Sequence, residues 1–470
     1  MESRNRTTTA LCLFLGLCIG LTGCTMAPTY NRPEAPVPDV WPSGPAYQQQ
    51  PGNASGQRVD DIPWQSFFTD PQLQGLIKLA LENNRNLRIA ALNIERSRAQ
   101  YQIKRAELIP KLDALSIVNN QAASDQKYTV ALGISGYELD LFGRVQSLKD
   151  QALEQYLATE QARHTVQISL VAEVAVTALN LAADRERLRL SQETLKTQQS
   201  SMALIQRRFE VGASSELDLR QAESQVESAR VDVARTITLV AQDENNLNLV
   251  MGFQAPAELL PSRFSEKIEV QDVRPGLPST VLLRRPDILQ AEHQLKGFNA
   301  NIGAARAAFF PRITLVSTVG TRSDELSGLF KSGSDVWTFS PQIVVPIFDA
   351  GARSAQLQVA EVDREIAVAQ YEQAIQTGFR EVADALAQRG TIDEQWAAQQ
   401  ALVKATNVRY LLAQARYDKG IDSYLNVLDA QRSLYSAQQG LITTRLARLT
   451  NLVTLYKVLG GGGKEGLYSQ

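Results

Sequence analysis

The chain has 470 residues, and its 48 Lys and Arg against 50 Asp and Glu give a formal net charge of −2. This balance excludes a strongly basic nucleic-acid-binding protein. An apolar content of 44% excludes a globally disordered chain. Only two His and three Cys are present, so a metal site built from these residues is not expected. The composition therefore predicts neither a nucleic-acid partner nor a cofactor.

Residues 1–23 have the pattern of a secretory signal peptide. Arg4 and Arg6 precede an apolar run over residues 10–21, which is too short for a membrane-spanning helix of about 20 residues. The run ends in Leu-Thr-Gly-Cys at 21–24, which resembles the bacterial lipobox. This resemblance implies cleavage before Cys24, which would carry N-acyl and S-diacylglycerol chains, and Thr25 after it favours the outer membrane. The alternative is an ordinary signal peptide with a chance cysteine.

Residues 24–59 form the next segment, with seven prolines between positions 28 and 51. Such a composition is typical of an extended chain that adds little to a core. We expect this segment to be a strap that leads from the lipid to the folded body.

Long proline-free tracts dominate the rest of the chain, and they are rich in the strong helix formers Ala, Leu, Gln, Glu and Arg. Two of them run over about 65 residues, which corresponds to roughly 100 Å of helix. In the last tract, apolar residues recur every seven positions, as in a coiled-coil seam. The tracts cover residues 76–108, 145–209, 217–250, 288–309, 354–417 and 425–459.

An internal repeat relates two halves of the chain. The segment Arg208–Gly212 reappears as Arg416–Gly420, at an offset of 208 residues. We therefore predict one repeat over 60–251 and a second over 287–459, with a connection at 252–286 and a flexible tail at 460–470. Shared helical composition alone is the alternative explanation.

Four segments alternate apolar residues with small or polar ones, at 112–119, 128–140, 312–320 and 336–347. This alternation is typical of transmembrane β-strands. A soluble sheet with one buried face alternates in the same way and stays open as an alternative. Polar loops are expected at 119–127 and 322–335. The fold class is therefore a mixed α+β membrane protein, mainly of long helices with four strands per chain.

Four strands cannot close a barrel. Even a narrow barrel, whose interior is completely filled by side chains, has about eight strands. An open sheet edge in lipid leaves backbone groups unpaired, each at a cost of several kcal/mol. Several chains would therefore share one barrel. Strand counting permits three chains with twelve strands, together with twelve long helices arranged as a tube.

The chain resembles the TolC family of outer-membrane efflux ducts, and in particular its lipid-anchored OprM-like branch. The resemblance implies a homotrimer with a 12-stranded β-barrel, a 12-helix α-barrel and an equatorial collar. The collar would comprise about residues 60–75, 253–286 and the tail after 459, and the 252–286 connection is accordingly equatorial. It also implies two partners, a periplasmic membrane-fusion adaptor and an inner-membrane pump of the resistance-nodulation-division (RND) type. The stretches that carry it are LTGC at 21–24, DPQL at 70–73, LENNRNLR at 81–88, ELDLFGR at 138–144, DQALEQYLATEQA at 150–162, RRPDILQAEHQL at 284–295, NIGAARAAFFP at 301–311, AQYEQAIQ at 369–376 and LDAQRSL at 428–434.

In this family the helix pairs meet at turns that form the periplasmic tip. The resemblance places these turns at 211–216 and 419–424, and it implies that Val211, Gly212, Lys419 and Gly420 face the adaptor.

The resemblance also implies a gate in the second helix pair. Asp429 matches an aspartate ring, Leu425 a hydrophobic ring, and Tyr417 a gating tyrosine. Arg432, three residues after Asp429, is placed to pair with it or with a neighbouring chain. The alternative is that Asp429 and Arg432 form a solvated pair on the helix face. The chain departs from TolC at Asp422 and Asn426, so the TolC locking bonds do not transfer.

The sequence therefore predicts a passive exit duct for drugs and other toxic small molecules, in the outer membrane and extending into the periplasm, and no enzyme. One alternative keeps the fold but serves type I protein secretion. Another is a structural coiled-coil lipoprotein that bridges the envelope.

Overall fold

The computed structural model describes residues 25–47, 59–121, 125–261, 264 and 279–462. The predicted signal peptide, Cys24, part of the strap at 48–58, residues 262–263 and 265–278 of the connection, and most of the tail lie outside the described residues. The described chain forms eight α-helices and four strands, in the order α1 (Trp64–Phe67), α2 (Pro71–Asn83), α3 (Arg85–Ala106), β1 (Asp113–Gln121), β2 (Asp125–Leu139), α4 (Arg144–Glu210), α5 (Glu216–Met251), α6 (Pro286–Ala307), β3 (Arg312–Ser323), β4 (Asp335–Val344), α7 (Ala352–Asp418) and α8 (Tyr424–Val458). Short 3-10 turns lie at Val59–Asp61, Ala257–Leu259, Ser279–Arg284 and Leu326–Gly328.

Both halves have the same element order: a helix, two strands, a 67-residue helix and a helix of 36 or 35 residues. The predicted four strands and long helix pairs are therefore confirmed. The strand ends differ from the expected loops, because β1 continues to Gln121 and β2 already begins at Asp125. β4 ends at Val344, two residues before Pro346, which has no N–H to donate to a ladder.

Local sequence chemistry places several helix ends. The Asp70 carboxylate accepts a 2.9 Å hydrogen bond from the backbone N–H of Gln72, and Pro71 follows as the first helical residue of α2. At its carboxyl end, α5 is capped by Gly252, which follows the last helical residue. The φ of Gly252 is 77°, a backbone conformation that favours a residue without a Cβ.

One compact unit combines the described residues of 1–35 with residues 92–161 and 289–374. It contains an antiparallel sheet in the order β1-β2-β3-β4. Leu132 pairs with Val319, and Val319 with Trp337, so these side chains form a row across three strands. They are 51, 63 and 77% exposed, respectively. An exposed apolar row of this kind is typical of the lipid-facing side of a membrane sheet.

The neighbouring row lies on the opposite face of the sheet and is small and polar. It runs through Gly133, Thr318 and Thr338. The alternation predicted from the sequence therefore sorts apolar and polar side chains onto two different faces.

The strap enters this unit and is held by α6. The Glu292 carboxylate, whose side chain is 3% exposed, accepts hydrogen bonds of 3.1 and 2.7 Å from the Arg32 guanidinium. Lys296 contacts the same carboxylate at 3.1 Å, and the Tyr30 hydroxyl donates to it at 3.2 Å. Burial raises the pKa of Glu292, but the Lys296 and Arg32 hydrogen bonds outweigh it and hold the pKa below its usual value.

The second unit combines the described residues of 36–91, 162–288 and 375–470. Phe67 stacks on Tyr456 with ring centroids 3.9 Å apart, and the Tyr456 hydroxyl donates to the backbone oxygen of Ile62 at 2.7 Å. Arg285 is 9% exposed and donates to the backbone oxygen of Val458 at 2.8 Å. These contacts hold the carboxyl end of α8 in the core of this unit.

One stretch of α4 is apolar enough for a membrane span, but 72% of it is buried inside the chain. Burial of this kind is typical of a core helix, and we assign the stretch to the packing of α4 in the second unit.

Candidate functional site

The second unit contains two helical hairpins, α4–α5 and α7–α8, whose turns have the same geometry. In the first, the N–H of Gly212 donates to the oxygen of Phe209 at 2.9 Å and the N–H of Ala213 to Arg208 at 2.7 Å. In the second, Gly420 donates to Tyr417 and Ile421 to Arg416, both at 2.9 Å. This paired bonding is a Schellman motif, and the glycines have φ of 75° and 73°. The repeat offset of 208 residues thus holds at the level of backbone hydrogen bonds.

The two hairpins differ in how the second helix begins. Ser215 caps α5 in a capping box, because its side chain accepts from the N–H of Asp218 and Asp218 in turn accepts from the N–H of Ser215. Ser423 occupies the same place before α8, but its side chain makes no capping hydrogen bond. Asn426 stands where the first hairpin has Asp218, so the reciprocal carboxylate is missing from the second turn.

An apolar cluster joins the two hairpins just behind their turns. It draws on all four helices of the hairpins, so the packing of one hairpin depends on the other. Its buried members are Ile205, Leu219, Ala222, Tyr424, Val427 and Leu428, with Met202, Tyr410, Ala413 and Tyr417 packed against them.

Tyr417 lies at the boundary of this cluster. Its ring is 5.4 Å from that of Tyr424, and the guanidinium of Arg208 lies 4.9 Å from its centroid in a cation–π contact. Burial raises the pKa of Tyr424 to about 12, so its hydroxyl stays neutral in the cell. The predicted gating tyrosine therefore links the first hairpin to the second.

Asp429 lies on the partly exposed face of α8, and its nearest cation is Arg409 of α7. The Arg409 guanidinium makes an ion pair and a hydrogen bond with the Asp429 carboxylate. Arg432 approaches the same carboxylate at 3.6 Å. The expected contact between Arg432 and Asp429 is therefore present, but it is the longer of the two. The main partner of Asp429 is Arg409, which was not predicted from the sequence.

A second ion pair lies closer to the turn. Arg416 donates to the Asp422 carboxylate at 2.5 and 3.2 Å. Hydrogen bonding to Arg416 lowers the pKa of Asp422, and it raises the pKa of Arg416. In both ion pairs the two partners are equally far from Lys419 in the sequence. Arg409 and Asp429 are each ten residues from it. Arg416 and Asp422 are each three residues from it.

The first hairpin has no counterpart of these ion pairs. The residues 208 positions before Arg409 and Asp429 are Ser201 and Gln221, and Ser214 stands in the place of Asp422. Arg208 matches Arg416 but lies over the Tyr417 ring instead. The cross-helix ion pairs thus belong to the second hairpin, the one in which the resemblance places a gate.

The remaining predicted site residues lie on the exposed surface of the same unit. Leu425, one turn before Asp429 on α8, is 52% exposed. The turn residues Val211, Gly212, Lys419 and Gly420 are all exposed, and Val211 reaches 78%. Their positions are therefore accessible to a partner.

The sequence interpretation missed Arg409 because it considered only neighbours of Asp429 within one helix. A signal was available, since residues equidistant from the turn of an antiparallel hairpin lie at the same level. Counting outward from Lys419 would have paired Arg409 with Asp429.

Comparison with known proteins agrees with this architecture. The family described as outer membrane efflux protein matches residues 76–253 and 277–461. The antibiotic efflux pump outer membrane protein ArpC of Pseudomonas putida is 48% identical over 456 residues, which cover 95% of this chain and 94% of that protein. The solvent efflux pump outer membrane protein SrpC of the same species is 47% identical over 467 residues, covering 96% and 98%.

A solved structure shows the same fold. The open state of the MtrE outer membrane channel of Neisseria gonorrhoeae superimposes with a TM-score of 0.86 at 39% identity, over 95% of this chain and all of that chain. The chain therefore belongs to the outer membrane efflux protein family and is an outer-membrane channel of an efflux pump.

Proposed function

We propose that three copies of this chain form one passive exit duct, with a 12-stranded β-barrel and a periplasmic helical tube. The observation that carries this proposal is the four-stranded sheet with its exposed apolar row through Leu132, Val319 and Trp337. Within the described sheet, β1 and β4 each pair on one side only, so both offer an edge. A closed barrel satisfies both edges, because β4 of one copy pairs with β1 of the next.

The partners we propose are an inner-membrane pump of the RND type and its periplasmic adaptor. The names of the relatives ArpC and SrpC, which specify antibiotics and solvents, support drugs and apolar small molecules as the cargo. The duct itself performs no chemistry, and energy for transport comes from the pump. This follows from membership of a channel family and not of an enzyme family.

The gate we propose is the second hairpin tip. Three copies of Asp429 around a threefold axis would repel one another and attract cations, and the Arg409 ion pair offsets part of this repulsion within each copy. Leu425 would form an apolar ring one turn away. When an adaptor docks on the exposed turn residues Val211, Gly212, Lys419 and Gly420, the α7–α8 hairpin moves outward and the tip opens.

The anchor we propose is the lipid on Cys24. The described strap begins one residue later, at Thr25, and is fixed to α6 through Glu292. A triacylated cysteine is a firm anchor, since each buried CH₂ contributes about 0.8 kcal/mol. It would hold the strap at the periplasmic leaflet of the outer membrane.

The test of this proposal combines native mass with single-channel conductance of the purified, lipidated protein in a planar bilayer. A trimer with a small, cation-preferring conductance supports the closed duct. A monomer without conductance contradicts it and favours a structural envelope lipoprotein.

The gate has its own test in Asp429→Cys. Disulfide or short bifunctional cross-links between copies should abolish drug export in cells, and reduction should restore it. Unchanged export with a locked tip would remove the gate. Co-purification with an ATP-driven exporter and secreted protein, in place of an RND pump, would favour the secretion alternative.

A further inference from the structure

A shallow apolar hollow of about 500 Å³ lies in the first unit, next to the start of the described strap. It is lined by Met26, Arg306, Phe309, Phe310 and Leu357. Four of its five lining side chains are apolar, which indicates a hydrocarbon occupant.

The floor of the hollow is held in place by aromatic stacking. Phe310 stacks on Phe142 with ring centroids 4.7 Å apart. Phe309 and Phe310 nevertheless stay 44% and 41% exposed. Both follow the end of α6 and precede β3, so the hollow lies where the sheet begins. Exposed phenylalanines there are costly in water unless something apolar covers them.

The strap is fixed against α6 beside this hollow. The Asn299 amide donates to the backbone oxygen of Pro28 at 2.7 Å, and the hydroxyls of Thr25 and Ser147 lie 3.3 Å apart. Ala27 lies so close to α6 that a Cβ at Gly303 would be 2.6 Å from its nitrogen. A side chain at Gly303 therefore excludes the strap from this position.

This attachment determines where the lipid on Cys24 begins. Met26 lines the hollow, and two residues of extended chain span at most about 7 Å. Met26 follows Cys24 by two positions in the sequence, so the proposed lipid is attached two residues from a lining residue of the hollow. An acyl chain attached there is long enough to reach the exposed Phe309 and Phe310 rings.

The single charged group of the hollow suits the polar part of the same lipid. Arg306 contacts Glu361 at 3.6 Å, and its side chain is 42% exposed. It keeps N–H groups free of that contact, and these can donate to the ester or amide carbonyls near the cysteine. Methionine adapts its shape to irregular apolar neighbours, which suits Met26 to an acyl chain.

We propose that the hollow formed by Met26, Arg306, Phe309, Phe310 and Leu357 is a binding site for an acyl chain of the lipid on Cys24. The site fixes the anchor to the base of the sheet, so that lipid and barrel enter the same leaflet at one position. This inference rests on the lipidation of Cys24 in the proposed function, and it adds a defined protein site for the lipid.

The experiment places a photoreactive p-benzoylphenylalanine at position 357 of the full-length chain in bacterial membranes. After irradiation and digestion, mass spectrometry identifies what the probe has joined. We expect the peptide containing residue 357 to be linked to an acyl chain of the lipidated peptide that begins at Cys24. A link to Met26 alone, which lines the same hollow, would overturn the site. The same probe at position 359 is the matched control, because Val359 is on the same helix, is exposed and does not line the hollow.

Two glycine variants test the role of the strap. Gly303→Ala should abolish the cross-link from position 357, since its Cβ displaces Ala27. Gly297→Ala on the same helix should retain it, because the nearest atom to its Cβ, the Gln151 oxygen, is 3.5 Å away. Native mass and conductance check that both variants assemble. If Gly303→Ala fails to assemble, p-benzoylphenylalanine at position 309 of the chain with Gly303 unchanged tests the cross-link independently.

The possible results separate this site from the anchor itself. An N-terminal peptide without lipid overturns the anchor and the site together. A lipidated peptide with no cross-link above that at position 359 overturns the site alone. Cross-links only to free phospholipid, or to another copy of the chain, also overturn it.

Discussion

Arg409 and Asp429 pair across the α7–α8 hairpin, each ten residues from Lys419. The pair joins the two helices just behind the turn, and the side chains are 55% and 49% exposed. The first hairpin has Ser201 and Gln221 at the matching positions. An ion pair at this level behind the turn is therefore present in one hairpin and absent from its repeat, whose cross-helix pair of Arg185 with Glu244 lies further from the turn. The Arg409–Asp429 pair is thus suited to control movement of a single helix pair.

The first prediction concerns loss of this restraint. Asp429→Asn should raise single-channel conductance, because it replaces three Asp429–Arg409 ion pairs by three unpaired Arg409 cations, so like charges remain at the tip and the restraint is lost. Exposed ion pairs contribute about 0.2–1 kcal/mol each, so three copies would change the open-state population by about three- to hundredfold. Loss of the three negative charges should also reduce cation preference. The matched control is Glu223→Gln, which removes one of the two exposed carboxylates that pair with Arg220 on the first hairpin and should leave conductance unchanged. An equal rise in both variants would contradict a specific role for Asp429.

The second prediction is a charge reversal. Arg409→Asp and Asp429→Arg should each increase leak when made alone, and the double variant should regain part of the closed state, since the attraction is restored with opposite polarity. The measurement is a double-mutant cycle on leak conductance. Additive effects in the double variant would show that the two side chains act independently.

The third prediction uses the pH dependence of the pair next to the turn. The Arg416 hydrogen bond lowers the pKa of Asp422 below its ordinary value of 3.8. Stabilisation by this carboxylate is therefore complete above pH 3.8 and is lost as the pH falls through the lowered pKa. Asp422 should contribute no pH dependence of conductance between pH 5 and 8. Asp422→Asn should raise the leak across that range and diminish the increase seen in strong acid, and a wild-type transition near neutral pH that this variant abolishes would refute the assignment.

The fourth prediction concerns the turn of the second hairpin. Gly420 has a φ of 73°, and no described atom lies within 4 Å of the position of an added Cβ. Gly420→Ala should therefore destabilise the turn through its backbone alone, by about 1–2 kcal/mol. Gly420→Asn should cost less, because asparagine tolerates the left-handed region. Hydrogen exchange of residues 416–424 measures the difference, and equal protection in both variants would argue against backbone strain.

Much of the fold follows from local sequence chemistry. The alternation around Leu132 and Trp337 predicted the strands, and Gly212 and Gly420 marked the turns between the long helices. The strand ends were less predictable, because β1 and β2 continue into polar residues that a loop would also accept. Pairing between neighbouring strands, and not the polarity of single residues, decides where such strands end.

The candidate gate was predicted in part. Its location, Asp429 and Tyr417 came from the repeat and the resemblance, whereas Arg409 and the Arg208 contact with Tyr417 did not. These contacts join residues from different helices, and their formation depends on how side chains meet across a packed interface.

The sequence by itself determined the identity and order of the elements, since helix propensity, strand alternation and the glycine turns are local properties of the chain. It also predicted the repeat, and with it the matching geometry of the two turns. Only the tertiary structure decided which cation faces Asp429, and that Glu292 of α6 binds Arg32 of the strap, 260 residues earlier. The physical reason is that charge pairing depends on distance in space, which a sequence does not contain until its helices have packed.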